Sequence, residues 1–160
     1  MIETKYPVTQ AIRILKESGV RFVIHSYKYE EHGGTSTAAR ELGVDEHAVV
    51  KTLVMETDRG EPLIVLMHGD KEVSTKNLAR FLGSKTVSSC NPDAAGRHTG
   101  YMIGGTSPFG TRKRLKIYIE KTIGDLPLIY INAGKRGLLA EMSPFDLIKI
   151  LEPTPVEVRL

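Results

Sequence analysis

The chain has 160 residues, of which 41% are hydrophobic and 26% charged, a balance typical of one globular domain. A domain of this size buries roughly 70% of the surface of its unfolded chain, so it can hold a core without disulfides or metals. The single cysteine, Cys90, excludes an internal disulfide and fits a reducing compartment. The formal net charge of +3 is too small to indicate nucleic-acid binding by itself.

The chain offers no targeting or membrane signal. Residues 1–5 lack the basic start and apolar run of a signal peptide. The apolar run at residues 63–67 is far shorter than the roughly 18 residues needed to span a membrane. We therefore expect a cytoplasmic protein without a membrane partner, folded as a single domain over residues 1–160.

The first half of the chain contains two helix patterns and three strand patterns. Apolar residues at helical spacing predict a first helix, which begins at Pro7 or Thr9 and ends at Gly19. A strand is predicted over residues 22–27, followed by a short helix that ends at Gly43. Its predicted N-cap is one of the hydroxyl residues Thr35, Ser36 and Thr37. Two nearly continuous apolar runs, 49–56 and 63–68, predict central strands joined by a turn.

The second half begins with two predicted helices, one starting at Ser74 or Thr75 and the next at Asn91-Pro92-Asp93. Strands are predicted at 101–103, 115–119, 128–132 and 138–142, and Ser143-Pro144 starts a last helix that includes Leu151. Helices and strands mix without strict alternation. This pattern favours an α+β fold with a mixed or curled sheet.

Several kinds of site are not indicated. The five histidines are scattered and none forms a zinc-type pair, and Cys90 has no CxxC partner, so we expect no metal. The chain contains neither a phosphate-binding P-loop nor the spacing of a dinucleotide-binding fingerprint. A serine triad has no GxSxG support, although geometry alone could still assemble one. We expect no cofactor.

Lys51 lies in an unusually apolar strand pattern, Val-Val-Lys-Thr-Leu-Val-Met. Such a lysine either extends from a half-exposed strand into solvent or points into a functional cleft. In a cleft it would hold an anionic or carbonyl-bearing substrate, or stabilise an oxyanion. The pattern alone leaves both interpretations open.

The segment Gly104-Gly105-Thr106-Ser107-Pro108-Phe109-Gly110 is the second candidate. Glycines allow the backbone to adopt positive φ and to approach a ligand closely. Consecutive N–H groups could then form an oxyanion hole. An ordinary wide turn would have a similar composition, so this segment also keeps two interpretations.

Basic residues cluster at Arg112-Lys113-Arg114 and Lys116. Such a cluster could contact a phosphate backbone, or it could be a solvated strand face. The turn at 133–137 could likewise bind phosphate or be a basic hairpin turn. If the basic cluster were the functional feature, the chain would be an RNA-binding protein that uses this cluster to contact phosphates.

Taken in order, these segments resemble the YbaK family, which includes the editing domain inserted in bacterial prolyl-tRNA synthetases. The matching pieces are His25-Ser26-Tyr27, Lys51-Thr52-Leu53, Thr99-Gly100-Tyr101 with the glycine loop, Lys113-Arg114, and residues 131–137. The resemblance implies a mixed, barrel-like β-sheet wrapped by helices. It also implies hydrolysis of the ester between a wrong amino acid and the 3′ end of tRNA, with Cys-tRNA(Pro) as the expected substrate.

The resemblance places catalytic groups at Lys51, Tyr27, Gly104 and Gly105. We expect further substrate contacts within the matching segments, at His25, Thr106, Ser107, Pro108, Gly110, Asn132, Gly134 and Arg136. Phosphates of the tRNA acceptor end are expected at Arg112, Lys113 and Arg114. Prolyl-tRNA synthetase is a possible second partner, and the sequence does not indicate an oligomeric state.

We expect the N–H groups of residues 104–107 to polarise the ester carbonyl, Lys51 to anchor the terminal ribose or phosphate, and Tyr27 to position the aminoacyl end. No side chain is an obvious general base. The attacking group would be water or the substrate's own thiol. Two alternatives remain: a deacylase for alanyl or another small aminoacyl group, and a module that binds such a group without cleaving it. Leu139 stands where some cysteine-specific members have Asp, so this position does not support the cysteine specificity and leaves the preferred amino acid open.

Overall fold

The structure is a computed structural model that describes residues 6–160. The segment that bears on a signal peptide, residues 1–5, lies outside the described residues. None of the described helices is long and apolar enough to cross a membrane. The helices are α1 Gln10–Glu17, α2 Gly34–Leu42, α3 Thr75–Leu82, α4 Pro92–Thr99 and α5 Pro144–Leu151, with 3₁₀ turns at Glu46–Ala48 and Lys121–Asp125. The strands are β1 Phe22–Ser26, β2 Val49–Thr57, β3 Pro62–His68, β4 Val87–Ser89, β5 Lys116–Glu120, β6 Ile129–Asn132, β7 Leu138–Met142 and β8 Thr154–Val156.

Side-chain caps start four of the helices, as their sequences predict. Each capping oxygen accepts a hydrogen bond from an N–H group two or three residues ahead, and the caps are Thr9, Ser74, Asn91 and Ser143. The prediction of a hydroxyl cap for α2 is wrong, because this helix begins after Gly33 without a side-chain cap. The Thr35 hydroxyl instead donates towards the carboxylate of Glu46 and the carbonyl of Gly69. It therefore ties α2 to neighbouring segments.

The strands form one mixed sheet, which confirms the predicted class. Seven strands follow the order β1-β7-β6-β2-β3-β5-β8, and β4 pairs with β2 outside this path. Three strand pairings are parallel (β2 with β6, β3 with β5, β5 with β8), and the other pairings are antiparallel. The strands β4 and β8, with three residues each, are absent from the sequence prediction because so short a segment gives little periodicity.

Strand β2 carries two different partners on one edge. Strand β3 pairs with β2 from Val50 to Glu56, so β4 and β6 must share the opposite edge. Strand β6 pairs only with Val49 and Val50, whereas β4 begins its pairing at Met55. The described residues provide no strand partner on this edge between these pairings, and Lys51 is the first residue of the gap.

The two faces of the sheet bury different clusters. On one face, Val50 and Ile131 belong to the main core together with α1 and the fully buried Phe109. On the other face, a cluster around Met67 packs against α3. A third cluster, around Leu139, packs against α2 on that same face. Because side chains alternate along a strand, Lys51 lies on the face of these two smaller clusters.

The prediction of a strand at 101–103 is wrong. Tyr101 is buried and its hydroxyl donates to the carbonyl of Phe109 (2.6 Å), while Met102 and Ile103 are exposed. The N–H group of Gly105 closes a tight turn onto the carbonyl of Met102 (2.9 Å). The apolar run therefore anchors a loop and does not extend the sheet.

The end of the chain is fixed by one buried carboxylate. Glu120 is fully buried at the end of β5, and its Oε1 accepts the N–H groups of Val158 (2.7 Å) and Arg159 (3.1 Å). Its Oε2 accepts a hydrogen bond from the guanidinium of Arg159 (2.9 Å). This segment then continues to Leu160, whose N–H donates to the carbonyl of Glu72. Glu120 therefore determines where the segment around Glu72 lies.

We expect Glu120→Ala to lower the free energy of unfolding by about 3 kcal/mol, because it leaves buried N–H groups and the Arg159 cation without their partner. Urea denaturation measures the change. Glu157→Ala is the control, since it removes an exposed carboxylate that pairs with Lys121, and it should leave stability nearly unchanged. Equal losses in the two variants would contradict the structural role of Glu120.

Candidate active site

Sheet register aligns three of the predicted site residues, together with Leu139, in one row. His25 pairs with Leu139 between β1 and β7, and Leu139 pairs with Asn132 between β7 and β6. The register of β6 with β2 ends at Ile131 and Val50, so Lys51 is one residue past the pairing, at the level of Asn132. Residues in register share a face of a sheet. We call His25, Leu139, Asn132 and Lys51 the site row.

Lys51 is largely buried, with only 17% of its side chain exposed. Its Nζ donates to Oε1 of Glu72 at 3.4 Å, and the Glu72 side chain is 80% exposed. So small an exposed fraction argues against the interpretation of Lys51 as a solvated strand residue. The ammonium group lies on the side of Glu72, which follows β3 along the chain.

Tyr27 continues β1 beyond its last paired residue. Its N–H donates to the carbonyl of Gly137 (2.9 Å), and its half-buried ring packs against the cluster around Leu139. Burial, and next the neighbouring phenol of Tyr29, raise the pKa of Tyr27. The phenol is therefore neutral at physiological pH and is available as a hydrogen-bond donor.

His25 lies on β1, two residues before Tyr27. Its Nε2 contacts Oε1 of Glu141 at 3.2 Å, and its ring is tilted against that of Tyr130, with centroids 5.9 Å apart. Burial and the Glu141 carboxylate raise the pKa of Tyr130. The His25 side chain therefore already has the Glu141 carboxylate as a partner. It lies at the end of the site row opposite Lys51.

The glycine loop leaves some N–H groups unused. Gly104 is exposed and has φ +83°, a conformation that glycine tolerates well. The N–H of Gly105 is occupied by the turn to Met102. In the described part of the chain, no hydrogen bond uses the N–H groups of Gly104, Thr106 or Ser107. The expectation that residues 104–107 all supply oxyanion donors is therefore wrong for Gly105.

Asn132 connects the glycine loop to the turn at 133–137. Its Nδ2 donates to the carbonyls of Gly104 (3.0 Å) and Lys135 (3.3 Å), and its Oδ1 accepts the N–H of Gly134 (2.7 Å). Both ends of the amide are thus occupied by the protein itself. Asn132 therefore positions the loop, whereas the sequence predicts a direct substrate contact.

Arg136 and Tyr29 connect the same two segments from another side. The Nε of Arg136 donates to the carbonyl of Ile103 (2.8 Å), and its guanidinium lies 5.0 Å from the centre of the Tyr29 ring. A Cβ at Gly104 would meet the Tyr29 hydroxyl at 2.6 Å. Tyr29 is absent from the sequence prediction. The pattern Tyr-Lys-Tyr at 27–29, which places two tyrosines on one side of an extended chain, is the signal that could have found it.

Four other predicted contact residues pack against the protein. Ser107 and Pro108 are buried, and the Ser107 hydroxyl accepts the N–H of Phe109 within the loop. A Cβ at Gly110 would lie 2.6 Å from Gln10 of α1, and one at Gly134 would lie 2.8 Å from the Tyr101 ring. Because the side chains of Ser107 and Pro108 are enclosed, the substrate contacts predicted at these two residues would have to come from their backbone atoms. Gly110 and Gly134 permit close packing of the loop and turn.

Leu139 occupies the centre of the site row and is almost fully buried. It packs with Val49 and with Ala38 and Ala39 of α2. The middle of the row is therefore apolar, whereas its two ends carry His25 and Lys51. Leu139 is thus enclosed by its packing against α2, and the polar groups of the row lie at its ends.

The basic cluster lies beside helix α4. Arg112, Lys113 and Arg114 are exposed, and the first two donate their N–H groups to the carbonyls of Thr99 and His98. Burial, followed by the charges of Lys113 and Arg97, lowers the pKa of His98. The cations thus form a concentrated surface in the segment that follows the glycine loop.

Among residues 6–160, no three His, Cys, Asp or Glu side chains lie close enough together to hold a metal ion. What the geometry offers is a largely enclosed lysine side chain, a neutral phenol, and a glycine loop with N–H groups that have no partner among residues 6–160. Such groups stabilise a developing negative charge on oxygen. They suit acyl chemistry on an activated ester.

A family model for the aminoacyl-tRNA editing domain matches residues 30–150, and the chain belongs to this family. The predicted family is therefore confirmed. Among curated relatives, a protein of Enterococcus faecalis named EbsC, to which Cys-tRNA(Pro)/Cys-tRNA(Cys) deacylase activity is ascribed, is 28% identical over 143 residues. That match covers 89% of this chain and 87% of EbsC.

A proline–tRNA ligase of Maridesulfovibrio salexigens is 30% identical over 126 residues, which are 71% of this chain but 21% of the ligase. Two solved structures share the fold. The hypothetical protein APE2540 has a TM-score of 0.86 at 22% identity, covering 95% of this chain and 100% of that one. A protein ascribed a trans-editing function for prolyl-tRNA synthetase has a TM-score of 0.80 at 18% identity, covering 96% and 99%.

We expect Gly105→Ala to destabilise the fold by about 2 kcal/mol and to displace the glycine loop, because its Cβ would lie 2.8 Å from the backbone nitrogen of Arg136. Thermal unfolding and esterase-type turnover measure the two effects. Gly124→Ala is the matched control, since its Cβ would meet only Ile148 at an ordinary 3.6 Å. A Gly105→Ala variant as stable as the control would show that the turn at 133–137 shifts at little cost to make room for the added carbon.

Proposed function

We propose that this chain is a trans-editing aminoacyl-tRNA deacylase that removes cysteine from mischarged Cys-tRNA(Pro). Its membership of the editing-domain family and its similarity to EbsC along most of both chains support the reaction class and the substrate. The match to a proline–tRNA ligase supports prolyl-tRNA synthetase as a partner. The proposed location is the cytoplasm, where tRNA is charged.

The observation that carries this proposal is the position of Asn132, which is level with Lys51 in the site row and bonds the glycine loop. Asn132 is the next row position after Lys51 and donates directly to the carbonyl of Gly104. The N–H groups of Gly104 and Thr106 have no partner among the described residues. A carbonyl oxygen placed beside Gly104 would therefore meet backbone donors, and Lys51 on the adjacent strand would be left to hold the terminal nucleotide.

The proposed reaction needs little acid–base assistance, because an aminoacyl ester is already activated. Water, or the thiol of the substrate cysteine, attacks the carbonyl carbon, and the negative charge that develops on the oxygen is stabilised by the Gly104 and Thr106 N–H groups. The bond from this carbon to the ribose oxygen then breaks, and the ribose oxygen takes up the proton released by the attacking group. Lys51 anchors the terminal nucleotide, and the neutral phenol of Tyr27 positions the aminoacyl group.

The centre of the row carries no charge, because Leu139 packs there with Val49 and Ala38. A small apolar site excludes large side chains but separates cysteine from alanine weakly. The proposal therefore includes alanyl-tRNA as the nearest competing substrate.

Wild-type protein should release amino acid fastest from Cys-tRNA(Pro), more slowly from Ala-tRNA(Pro), and hardly at all from Pro-tRNA(Pro), because proline is bulkier and rigid. Release of the labelled amino acid under single-turnover conditions measures each rate. Protection of all the esters without release would instead indicate a binding module.

Lys51→Met retains the aliphatic stem, so we expect normal circular dichroism with deacylation reduced at least 100-fold. Full activity of this variant would remove Lys51 from the proposed site.

Replacing Arg112, Lys113 and Arg114 together by alanine should weaken tRNA binding and reduce the slope of log K against log salt by about 2 to 3, because each phosphate contact releases counterions. Fluorescence anisotropy of labelled tRNA across a salt series measures the slope. The control replaces three exposed cations near α3, Lys76, Arg80 and Lys85, and removes the same charge. Identical slopes in both triple variants would place the tRNA contact elsewhere.

A further inference from the structure

We propose that Glu72 is a resident counter-anion for Lys51, which a phosphate at the 3′ end of tRNA displaces when it binds. This inference rests on the proposed function, since it assigns a phosphate-bearing ligand to the same lysine. Glu72 is thereby a positioning residue that holds the ammonium group in the free protein. It competes with the substrate and takes no part in bond breaking.

The Lys51–Glu72 pair is asymmetric. The Lys51 side chain is 17% exposed, whereas that of Glu72 is 80% exposed and lies 3.4 Å away. Lys51 has no other ion-pair partner in the described part of the chain. A lysine enclosed in this way needs a counter-charge, because its lost hydration is otherwise uncompensated. The glutamate loses little hydration, so it can leave at low cost.

The backbone that carries Glu72 is held firmly. The carbonyl of Glu72 accepts the N–H of Leu160 (2.9 Å), and the next residue, Val73, forms a β-bridge with Arg159. On its other side, Asp70 contacts Nδ1 of His47 at 2.8 Å. The position of the Cα atom is therefore fixed, while the exposed side chain is free to rotate away from Lys51.

Two anions cannot share one ammonium group without repelling each other. A phosphodiester at Lys51 would thus compete directly with the Glu72 carboxylate. Neutralising Glu72 should strengthen binding of the tRNA end and leave the chemical step unchanged. For a pair with one highly exposed partner, the expected gain in affinity is about fivefold.

The test compares wild type with Glu72→Gln, which keeps the shape of the side chain and removes its charge. Deacylated tRNA(Pro) is the probe, so that the result does not depend on turnover. Equilibrium anisotropy at fixed low salt should give a Kd about fivefold lower for the variant. On Cys-tRNA(Pro), KM should fall by a similar factor with kcat unchanged.

Glu61→Gln is the matched control, because it removes one exposed carboxylate from the far end of the same β2–β3 hairpin. It reports how far the change in net charge alone increases tRNA affinity. A second comparison uses tRNA(Pro) lacking its 3′-terminal CCA, for which Glu72→Gln should behave like the control. In a Lys51→Met background, Glu72→Gln should also give no more than the control effect.

A Kd for Glu72→Gln that equals or exceeds that of Glu61→Gln would overturn the inference. A large fall in kcat with unchanged KM would also overturn it and would make Glu72 a catalytic base. A gain in affinity that persists in the Lys51→Met background would show that Glu72 acts on tRNA independently of Lys51. Failure of the proposed function is distinguishable, since it appears as absent turnover of mischarged tRNA by the wild-type protein.

Discussion

The close approach of two backbone segments organises the candidate site. Gly105 lies so near the backbone of Lys135 and Arg136 that a single added carbon would be 2.8 Å from a peptide nitrogen. This contact permits the amide of Asn132 to bridge both segments, with donors to one carbonyl in each. The loop is consequently rigid at Gly105 and exposed at Gly104. Preorganised donors of this kind stabilise an oxyanion without reorganisation during the reaction.

The sheet supplies the second requirement, which is a charged group beside that loop. Because β6 leaves β2 after Val50 and β4 joins only at Met55, the edge of β2 is open where Lys51 lies. An ammonium group on a central strand would ordinarily be covered or excluded. Here the side chain is largely enclosed, with the exposed carboxylate of Glu72 as its partner. Strand order thus places Lys51 level with Asn132, whose amide holds the loop.

Sequence patterns predicted most of the elements, because caps and apolar periodicity are local properties. The capping residues Thr9, Ser74, Asn91 and Ser143 each start the predicted helix. The failures are tertiary in origin. Residues 101–103 look like a strand but anchor a loop through the Tyr101 hydroxyl, and Thr35 bonds Glu46 and Gly69 in preference to its own helix.

The sequence by itself determined the family, the α+β class and the positions at which the site had to be sought, because these depend on residue types in a fixed order. Only the tertiary structure decided what each residue does there. Glycines at 105, 110 and 134 permit close packing, Asn132 bridges two segments, and Tyr29 and Glu72 enter the site from positions without a motif. Such roles depend on which segments meet across the sheet, and no local pattern in the chain encodes those meetings.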